Sequence, residues 1–204
     1  MTTYAVIDFE TTGLSPAHGA RPTEIAVVLV CGEKIVDRYQ SLMNPGVSVP
    51  YEIQQITGIT TEMVSKAPSI KSVMTEAARI AGKHAIVAHN AAFDRKFWEM
   101  EVGALRTSRQ NAFICSLLLA RRLFPNSPNH KLETLVRNFG LPSAGTYHRA
   151  LADAECTAHL LIHLRREIAS RYGIPDVDSG LLVAIQTASR FQLERCIQNY
   201  NGVT

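Results

Sequence analysis

The chain has 204 residues, of which 46% are hydrophobic and 19% are charged, and its formal net charge is +3. This composition excludes a disordered or fibrous chain and suits one medium-sized domain with room for an appendage. So small a charge permits an anionic partner without implying one.

The four cysteines lie far apart and form no CxxC pair. This spacing argues against a zinc ribbon and predicts reduced thiols in a cytoplasmic compartment. No basic segment followed by an apolar run precedes Asp8, so we expect no signal peptide. The apolar stretches are too short to predict a membrane-spanning helix.

Hydrophobic periodicity predicts strands and helices in an order typical of an α/β protein. Strands are expected at 4–9, 24–30, 35–42, 84–88 and 112–114, and helices at 68–81, 91–101, 116–123, 132–139 and 150–168. Three successive strands predict an antiparallel meander, and the later alternation implies a mixed sheet covered by helices. Asn90 is expected to be the N-cap of the helix at 91–101, and Tyr147 and His148 are expected in a loop.

The last part of the chain has a different pattern. The stretch YGIPDVDSG has the composition of a linker, and a terminal helix is expected at 181–200. We therefore predict an α/β domain over residues 1–170 and a helical extension of unknown role over 171–204. This extension either binds a partner or covers the core, and we favour the second interpretation.

Two carboxylates interrupt the first strand, in the stretch VIDFETTGLS. Side chains two positions apart in a strand share a face, so Asp8 and Glu10 lie together with Val6, while Ile7 and Phe9 point the other way. Two neighbouring carboxylates repel one another and resist desolvation. Either they face solvent or basic partners, or a bound divalent cation removes the repulsion.

Two further acids and a histidine stand at the ends of predicted elements. Asp94 and Asp153 each fall in the first turns of a helix, where either could simply favour the helix dipole. His148 lies in the loop before the second helix and, taken alone, is an ordinary loop residue. Carboxylate oxygens suit Mg²⁺ or Mn²⁺, and two such cations can assist a phosphoryl displacement. An imidazole nearby can take a proton from water. Together the five residues predict metal-assisted phosphodiester hydrolysis, although spacing alone does not bring them together in space.

Three segments carry a family resemblance. VIDFETTGL, VAHNAAFDRKFW and YHRALADAECTAHLL resemble the three ordered motifs of the DEDDh group, the DnaQ-like 3′–5′ exonucleases. This group includes the proofreading exonuclease subunit of bacterial DNA polymerase III and ribonuclease T. The resemblance covers roughly residues 3–168, and the three motifs together are far more specific than the first alone.

The resemblance implies the fold, the chemistry and the roles of particular residues. The fold is expected to be α/β, a ribonuclease H-like mixed five-stranded sheet flanked by helices. Asp8, Glu10, Asp94 and Asp153 are expected to bind two Mg²⁺ or Mn²⁺ ions, with His148 as the general base. The residues expected to contact the terminal nucleotide are Thr11, Thr12, Gly13, Leu14, Glu52, Ile56, His89 and Phe93. Cys115 and Thr57 depart from the family pattern, which often has an acid and a histidine at these positions.

Several alternatives remain open at the level of sequence. The substrate is expected to be a single-stranded or frayed 3′ end, of DNA in our main interpretation and of RNA in the alternative. A non-cutting module that binds nucleic acid or a polymerase is a third interpretation, and a DNA polymerase or a second copy of the chain is a candidate partner. His159 and His163 have a metal-compatible spacing but no evident third ligand. The pairs Arg95-Lys96, Arg121-Arg122 and Arg165-Arg166 could contact phosphates but also fit solvated helix faces.

Overall fold

A mixed five-stranded sheet forms the centre of the protein. The computed structural model describes residues 2–105, 111–143 and 148–201. The strands are β1 (Thr3–Thr11), β2 (Pro22–Cys31), β3 (Lys34–Leu42), β4 (Ala85–Ala88) and β5 (Phe113–Cys115). Their spatial order is β3-β2-β1-β4-β5, with antiparallel pairing among the first three and parallel pairing of β4 with β1 and β5. The expected mixed sheet is confirmed, including its antiparallel meander.

Helices cover both faces of this sheet. They are α1 (Tyr51–Thr57), α2 (Thr61–Ser65), α3 (Ile70–Ala81), α4 (Ala92–Ala104), α5 (Ser116–Leu123), α6 (Leu132–Asn138), α7 (Ala150–Tyr172), α8 (Ser179–Thr187) and α9 (Leu193–Asn201). Short 3-10 turns lie at Pro16–His18 and Arg190–Gln192. No helix in these described ranges is both long enough and apolar enough to be a candidate for crossing a membrane.

The alternation along β1 separates two hydrophobic cores. Tyr4 and Val6 pack on the face covered by α7, whereas Ala5, Ile7 and Phe9 pack on the face covered by α3 and α4. The period of two therefore sends Asp8 and Glu10 towards α7. Because β1 and β4 run parallel, the C-terminal end of β1 also lies beside the start of α4.

Two local expectations were wrong or incomplete. The sequence pattern did not reveal α1 and α2, two short helices separated by Gly58, whose left-handed backbone (φ 70°) ends α1. Asn90 is not the N-cap of α4: it adopts a left-handed conformation (φ 66°), and Ala91 occupies the cap position. Asparagine tolerates this conformation better than most residues, so it turns the chain one residue before the helix begins.

The C-terminal segment forms two helices, not one. The helix breaks at Ala188, whose backbone is extended and whose carbonyl accepts a 2.5 Å hydrogen bond from Arg122 Nε. The preceding segment is not a free linker, because Ile174 and Val177 are buried in the core around α7. No proline or glycine marks the break, so the sequence carried no signal for it.

Helix α8 protects the edge of the sheet at β5. The Gln186 side chain accepts a 2.7 Å hydrogen bond from Cys115 N and donates a 2.8 Å hydrogen bond to Phe113 O. One amide thus occupies the backbone groups that a further strand would use. This packing is what a core cover requires, while the division of the chain at residue 170 stays a prediction.

Candidate active site

Three carboxylates from two distant parts of the chain meet at one end of the sheet. Asp8 and Glu10 come from β1, and Asp153 comes from the first turn of α7. One oxygen of each lies within 4.8 Å of the others. The helix reaches β1 because it packs across β1 and β2. Among the described residues, these three form the group whose geometry could hold a metal ion.

A fourth carboxylate approaches from the other face. Asp94, in the first turn of α4, is 2% exposed, and its Oδ1 accepts a 3.2 Å hydrogen bond from Phe9 N. This bond ties the helix to the backbone residue that separates the two acids of β1. The negative charge of Asp94 also raises the pKa of Asp8 and of Glu10, which places it within electrostatic reach of both.

The cluster is strongly self-repelling. Burial raises the pKa of Asp8 well above its ordinary value, and the charges of Asp94, Asp153 and Glu10 raise it further. Burial and then the charge of Asp153 raise the pKa of Glu10 to about 8. Burial also raises the pKa of Asp94 and of Asp153, against the opposing effect of hydrogen bonds from backbone N–H groups. Without a counter-ion, burial therefore disfavours the charged forms of all four carboxyl groups, and the neighbouring charges add to this effect at Asp8 and Glu10.

The donors of the cluster fit a hard divalent cation. All the candidate ligand atoms are carboxylate oxygens, which Mg²⁺ and Mn²⁺ prefer. A cation would also remove the repulsion that raises these pKa values. The cluster is therefore suited to a divalent metal, and the number and identity of the ions are matters for the proposal below.

His148 lies at the mouth of this cluster. Its backbone is in the left-handed region (φ 67°), and its N–H donates a 2.9 Å hydrogen bond to Asp153 Oδ2. The residue is exposed, so the ring can exchange protons with solvent. Tyr147, the first residue of the third motif, lies outside the described residues.

A fifth acid beside the cluster was missed by the sequence analysis. Glu24, on β2, is 1% exposed and lies opposite Glu10 in the antiparallel register. Its carboxylate forms an ion pair with Arg149, with Oε1 2.8 Å from Nη2. The signal was present in TEIAVVLV, where one charged residue interrupts a buried strand and so requires a partner.

In the loop after β1, some of the predicted nucleotide-contacting residues are hydrogen-bonded within the protein and one is exposed. Thr11 Oγ1 donates to Gly13 O at 2.7 Å, and Thr12 Oγ1 accepts from Arg21 N at 2.9 Å. These bonds fix the loop against the segment that leads into β2. Leu14, by contrast, is 83% exposed and projects from the loop with no apolar cover.

Helix α1 lies at the same end of the sheet. Across the sheet, Glu10 is opposite Glu24, which is opposite Leu42, and Leu42 packs against the small core beneath α1 and α2. The predicted contacts Glu52 and Ile56 are exposed on α1, with Ile56 55% exposed. Exposed apolar side chains at this end of the sheet are suited to contact a nucleobase.

The remaining two predicted contacts are largely engaged within the protein. His89 Nδ1 lies 2.9 Å from Ser116 Oγ, and Nε2 lies 2.9 Å from His130 O. Burial lowers the pKa of His89 to about 4, so the ring is neutral near pH 7. Phe93 is half-buried, and its ring packs at a tilt against Phe97, with the ring centroids 5.2 Å apart.

The two departures from the family pattern have internal partners. Thr57 Oγ1 donates to Ile53 O at 2.9 Å and accepts from Ile59 N at 3.1 Å, so it closes the end of α1. The Cys115 side chain is buried in the core on the α3 and α4 side. Both positions therefore serve packing in this chain.

The other candidate sites have structural explanations. His163 packs against the rings of Phe124 and Phe139, and the metal-compatible group found in the described residues does not include it. Arg165 donates to Gly32 O and Val177 O, and Arg166 pairs with Glu33. These arginines stabilise the far end of α7.

Comparisons with known proteins agree on one family. The family model described as "Exonuclease" matches residues 5–161. The DNA polymerase III subunit epsilon of Aquifex aeolicus is 34% identical over 175 residues, which cover 85% of this chain and 86% of that protein. The PolC-type DNA polymerase III of Bacillus cereus is 37% identical over 172 residues, 83% of this chain but 12% of that much longer protein. The structure of exonuclease X in complex with 5′ overhanging duplex DNA superposes with a TM-score of 0.71 at 30% identity, covering 90% of this chain and 99% of that one.

Proposed function

Because the chain belongs to the exonuclease family, we propose that it releases nucleoside 5′-monophosphates from the 3′ ends of nucleic acid, with DNA as its substrate. The observation that carries this proposal is the convergence of Asp8, Glu10 and Asp153 within 4.8 Å, with Asp94 beside them. Acids that raise one another's pKa in this way suit an ionic cofactor better than a purely structural role.

The cofactor in this proposal is a pair of Mg²⁺ or Mn²⁺ ions held by the four carboxylates. The family depends on divalent metal ions, and the oxygen-only donor set is compatible with either ion. When bound, such ions lower the pKa of water and neutralise charge on a phosphodiester. Asp8, Glu10, Asp94 and Asp153 would supply the ligands.

The protein's own residues perform the remaining tasks. His148 takes the proton from the attacking water and, because it is exposed, returns it to solvent. The backbone of Thr11, Thr12 and Gly13 approaches the terminal nucleotide, and Leu14 packs on its base. The internal bonds of this loop hold it in place before substrate arrives, which lowers the entropy cost of binding.

Glu52, Ile56, His89 and Phe93 complete the proposed binding pocket in different ways. Glu52 and Ile56 are exposed and would contact the sugar and the ring directly. His89 and Phe93 are engaged inside the fold. They would shape the wall of the pocket more than they would bind the nucleotide.

We propose DNA rather than RNA as the substrate because the names of the similar proteins refer to DNA. The Aquifex relative is a DNA polymerase III subunit, and exonuclease X was solved with 5′ overhanging duplex DNA. The end proposed here is a single-stranded or frayed 3′ end of such DNA. A DNA polymerase is the proposed partner, and a homodimer is the second candidate. The four cysteines form no disulfide, which favours the cytoplasm.

The proposal also assigns the parts of the chain. Residues 1–170 would carry the exonuclease activity, in keeping with the family match over residues 5–161. Residues 171–204 would cover the core and the β5 edge, as the contacts of Gln186 suggest. A chain shortened after residue 170 should then lose solubility before it loses any specific contact to DNA.

The decisive test compares wild type with Asp153→Asn. Both are mixed with 5′-labelled DNA and Mg²⁺, and products are resolved on a sequencing gel. Wild type should give a ladder that shortens from the 3′ end, and the variant should lose several orders of magnitude in rate. Absence of shortening by wild type would leave the protein as a non-cutting binding module, whereas an equal rate in the variant would refute the role proposed for the carboxylate cluster.

Substrate class is tested in the same tube. DNA and RNA oligonucleotides of equal sequence and length carry different 5′ dyes and compete for the enzyme. Faster shortening of DNA supports the main proposal. Faster shortening of RNA would reassign the protein to RNA 3′-end trimming without changing the site.

A further inference from the structure

A buried carboxylate next to the acid cluster increases the cluster's repulsion. Glu24 lies opposite Glu10, and its charge raises the pKa of both Asp8 and Glu10. A buried negative charge here is unfavourable for the metal-free site. We therefore expect Glu24 to make contacts that offset this cost.

The carboxylate of Glu24 accepts four hydrogen bonds. Oε1 accepts from Gln40 Nε2 and Arg149 Nη2, each at 2.8 Å. Oε2 accepts from Arg149 Nε at 3.2 Å and from Ala150 N at 3.0 Å. The arginine thus binds in a bidentate fork, which fixes orientation as well as charge.

One of these bonds closes the N-terminus of α7. Arg149 stands at the N-cap position of α7 but provides no side-chain cap of its own. Glu24 supplies the missing acceptor from the neighbouring strand, by binding the N–H of Ala150, the first residue of the helix. A carboxylate at this place also favours the helix dipole.

The same turn carries two members of the site. His148 precedes Arg149, and its N–H binds Asp153 Oδ2 at 2.9 Å. His148 is held in a left-handed conformation (φ 67°), which is unfavourable for a residue other than glycine. Surrounding contacts must therefore hold this turn, and on its C-terminal side they are the contacts of Arg149 and Ala150 with Glu24.

We propose that Glu24 and Arg149 are a positioning pair, which sets the placement of His148 and Asp153 over the end of β1. Neither residue belongs to the carboxylate group that could hold a metal, so in this role the pair acts through His148 and Asp153. It joins the turn that holds the proton acceptor to the strand beside the two acids of β1. This inference rests on the function proposed above.

The chemistry at position 24 requires a carboxylate. All four partner atoms of Glu24 are hydrogen-bond donors. In Glu24→Gln the amide nitrogen would face Arg149 and either Gln40 or Ala150 N, depending on its orientation, so at least one hydrogen bond is replaced by two donors facing each other. The cost should appear as a displaced turn, although the volume of the side chain is unchanged.

A matched control separates positioning from general loss of stability. Arg165 lies at the opposite end of α7 and donates to Gly32 O at 2.6 Å and to Val177 O at 3.1 Å. Arg165→Gln removes buried hydrogen bonds from the same helix without touching the turn at 148–150. Its thermal stability should fall as in Glu24→Gln, but its kcat should stay at the wild-type value.

The test measures cleavage, metal binding and stability in wild type, Glu24→Gln, Arg149→Lys and Arg165→Gln. Misplacement of the turn should lower kcat of Glu24→Gln roughly 100-fold with little change in KM. The apparent Mn²⁺ affinity, read from the melting temperature against Mn²⁺ concentration, should fall roughly 10- to 100-fold. Arg149→Lys keeps the charge but loses the fork, so it should fall between wild type and Glu24→Gln.

Combining the two changes provides a further check. Glu24→Gln and Arg149→Lys act on one contact, so their effects on kcat should be less than multiplicative in the double variant. Multiplicative effects, or a kcat of Glu24→Gln no lower than that of Arg165→Gln, would overturn the positioning role.

The metal titration keeps this inference separate from the proposed function. If wild type cuts no nucleic acid while Glu24→Gln weakens Mn²⁺ binding and Arg165→Gln does not, the function fails and the positioning of Asp153 stands. If wild type cuts and all variants bind Mn²⁺ equally well, the positioning role is refuted and the function stands.

Discussion

Replacing Glu10 with glutamine should make the metal-free protein more stable while it destroys the activity. Glu10 sits among like charges on β1, and its pKa is raised to about 8, first by burial and then by Asp153 and Glu24. The unfolded chain has no such environment, so the group ionises there near its ordinary value of 4.5. Glutamine keeps the shape of the side chain and removes the ionisation.

The direction of the effect follows from proton uptake. Between the two pKa values the folded protein binds a proton at Glu10 that the unfolded chain does not, so stability falls as the pH rises through this window. At 1.36 kcal/mol per pKa unit, the difference costs the metal-free fold about 3 kcal/mol near pH 7. For a domain of this size, relief of that cost corresponds to a rise in melting temperature of roughly 6–12 °C.

The assay is thermal unfolding in EDTA, repeated over a pH series and with Mn²⁺ in place of EDTA. Glu10→Gln should melt higher than wild type near neutral pH, and the gap should close towards pH 4, where Glu10 is protonated in both states. Mn²⁺ should raise the melting temperature of wild type far more than that of the variant. Glu24→Gln is the control, since it also removes one charge but should melt lower than wild type.

Two results would refute this reasoning. If Glu10→Gln melts lower than wild type in EDTA, the carboxylate has a stabilising partner and the cluster is not self-repelling. If the gap between variant and wild type does not depend on pH, its cause is not the ionisation of Glu10.

Three other outcomes are expected. His148→Ala should lose roughly 10²–10⁴-fold in kcat, as expected for a proton acceptor, yet keep the Mn²⁺-dependent rise in melting temperature; a lost rise would instead make the residue part of the metal site. Gln186→Ala should lower the free energy of unfolding, measured in urea, by about 2 kcal/mol because it leaves the β5 backbone groups unpaired. The control Gln198→Ala, at an exposed position on α9, should leave the free energy of unfolding unchanged. Equal losses in the two variants would contradict the edge-protecting role. Leu14→Ser should raise KM for a 3′ end with little change in kcat, since Leu14 is 83% exposed and has no core contact to lose; a kcat-only defect would assign it another role.

The sequence by itself determined the sheet and the face on which the first two acids lie. The period of two along β1 is a local property, and it places Asp8 and Glu10 opposite Ile7 and Phe9 in any regular strand. The order of strands and helices followed in the same way from hydrophobic periodicity. Asp94 and Asp153 became candidates from their places at element ends, and the resemblance to the exonucleases strengthened them because the three motifs have a fixed order and spacing, which a single acid lacks.

Only the tertiary structure decided which groups meet and which are already engaged. Asp153 is 143 residues along the chain from Glu10, and it reaches β1 because α7 crosses the strands. His89 has the sequence context of a binding residue, yet both of its ring nitrogens are taken by Ser116 and His130. Such pairings depend on distances between remote segments, and no local pattern encodes those distances.

Glu24 shows the boundary between the two kinds of information. The sequence analysis missed it, although its position in an apolar strand is a signal that a partner is needed, because a charge is costly to bury alone. The identity of that partner, Arg149 at the start of α7, follows only from the way the helix lies on the sheet. The local sequence thus fixes which way a side chain points, while the packing of helices on the sheet determines what it contacts.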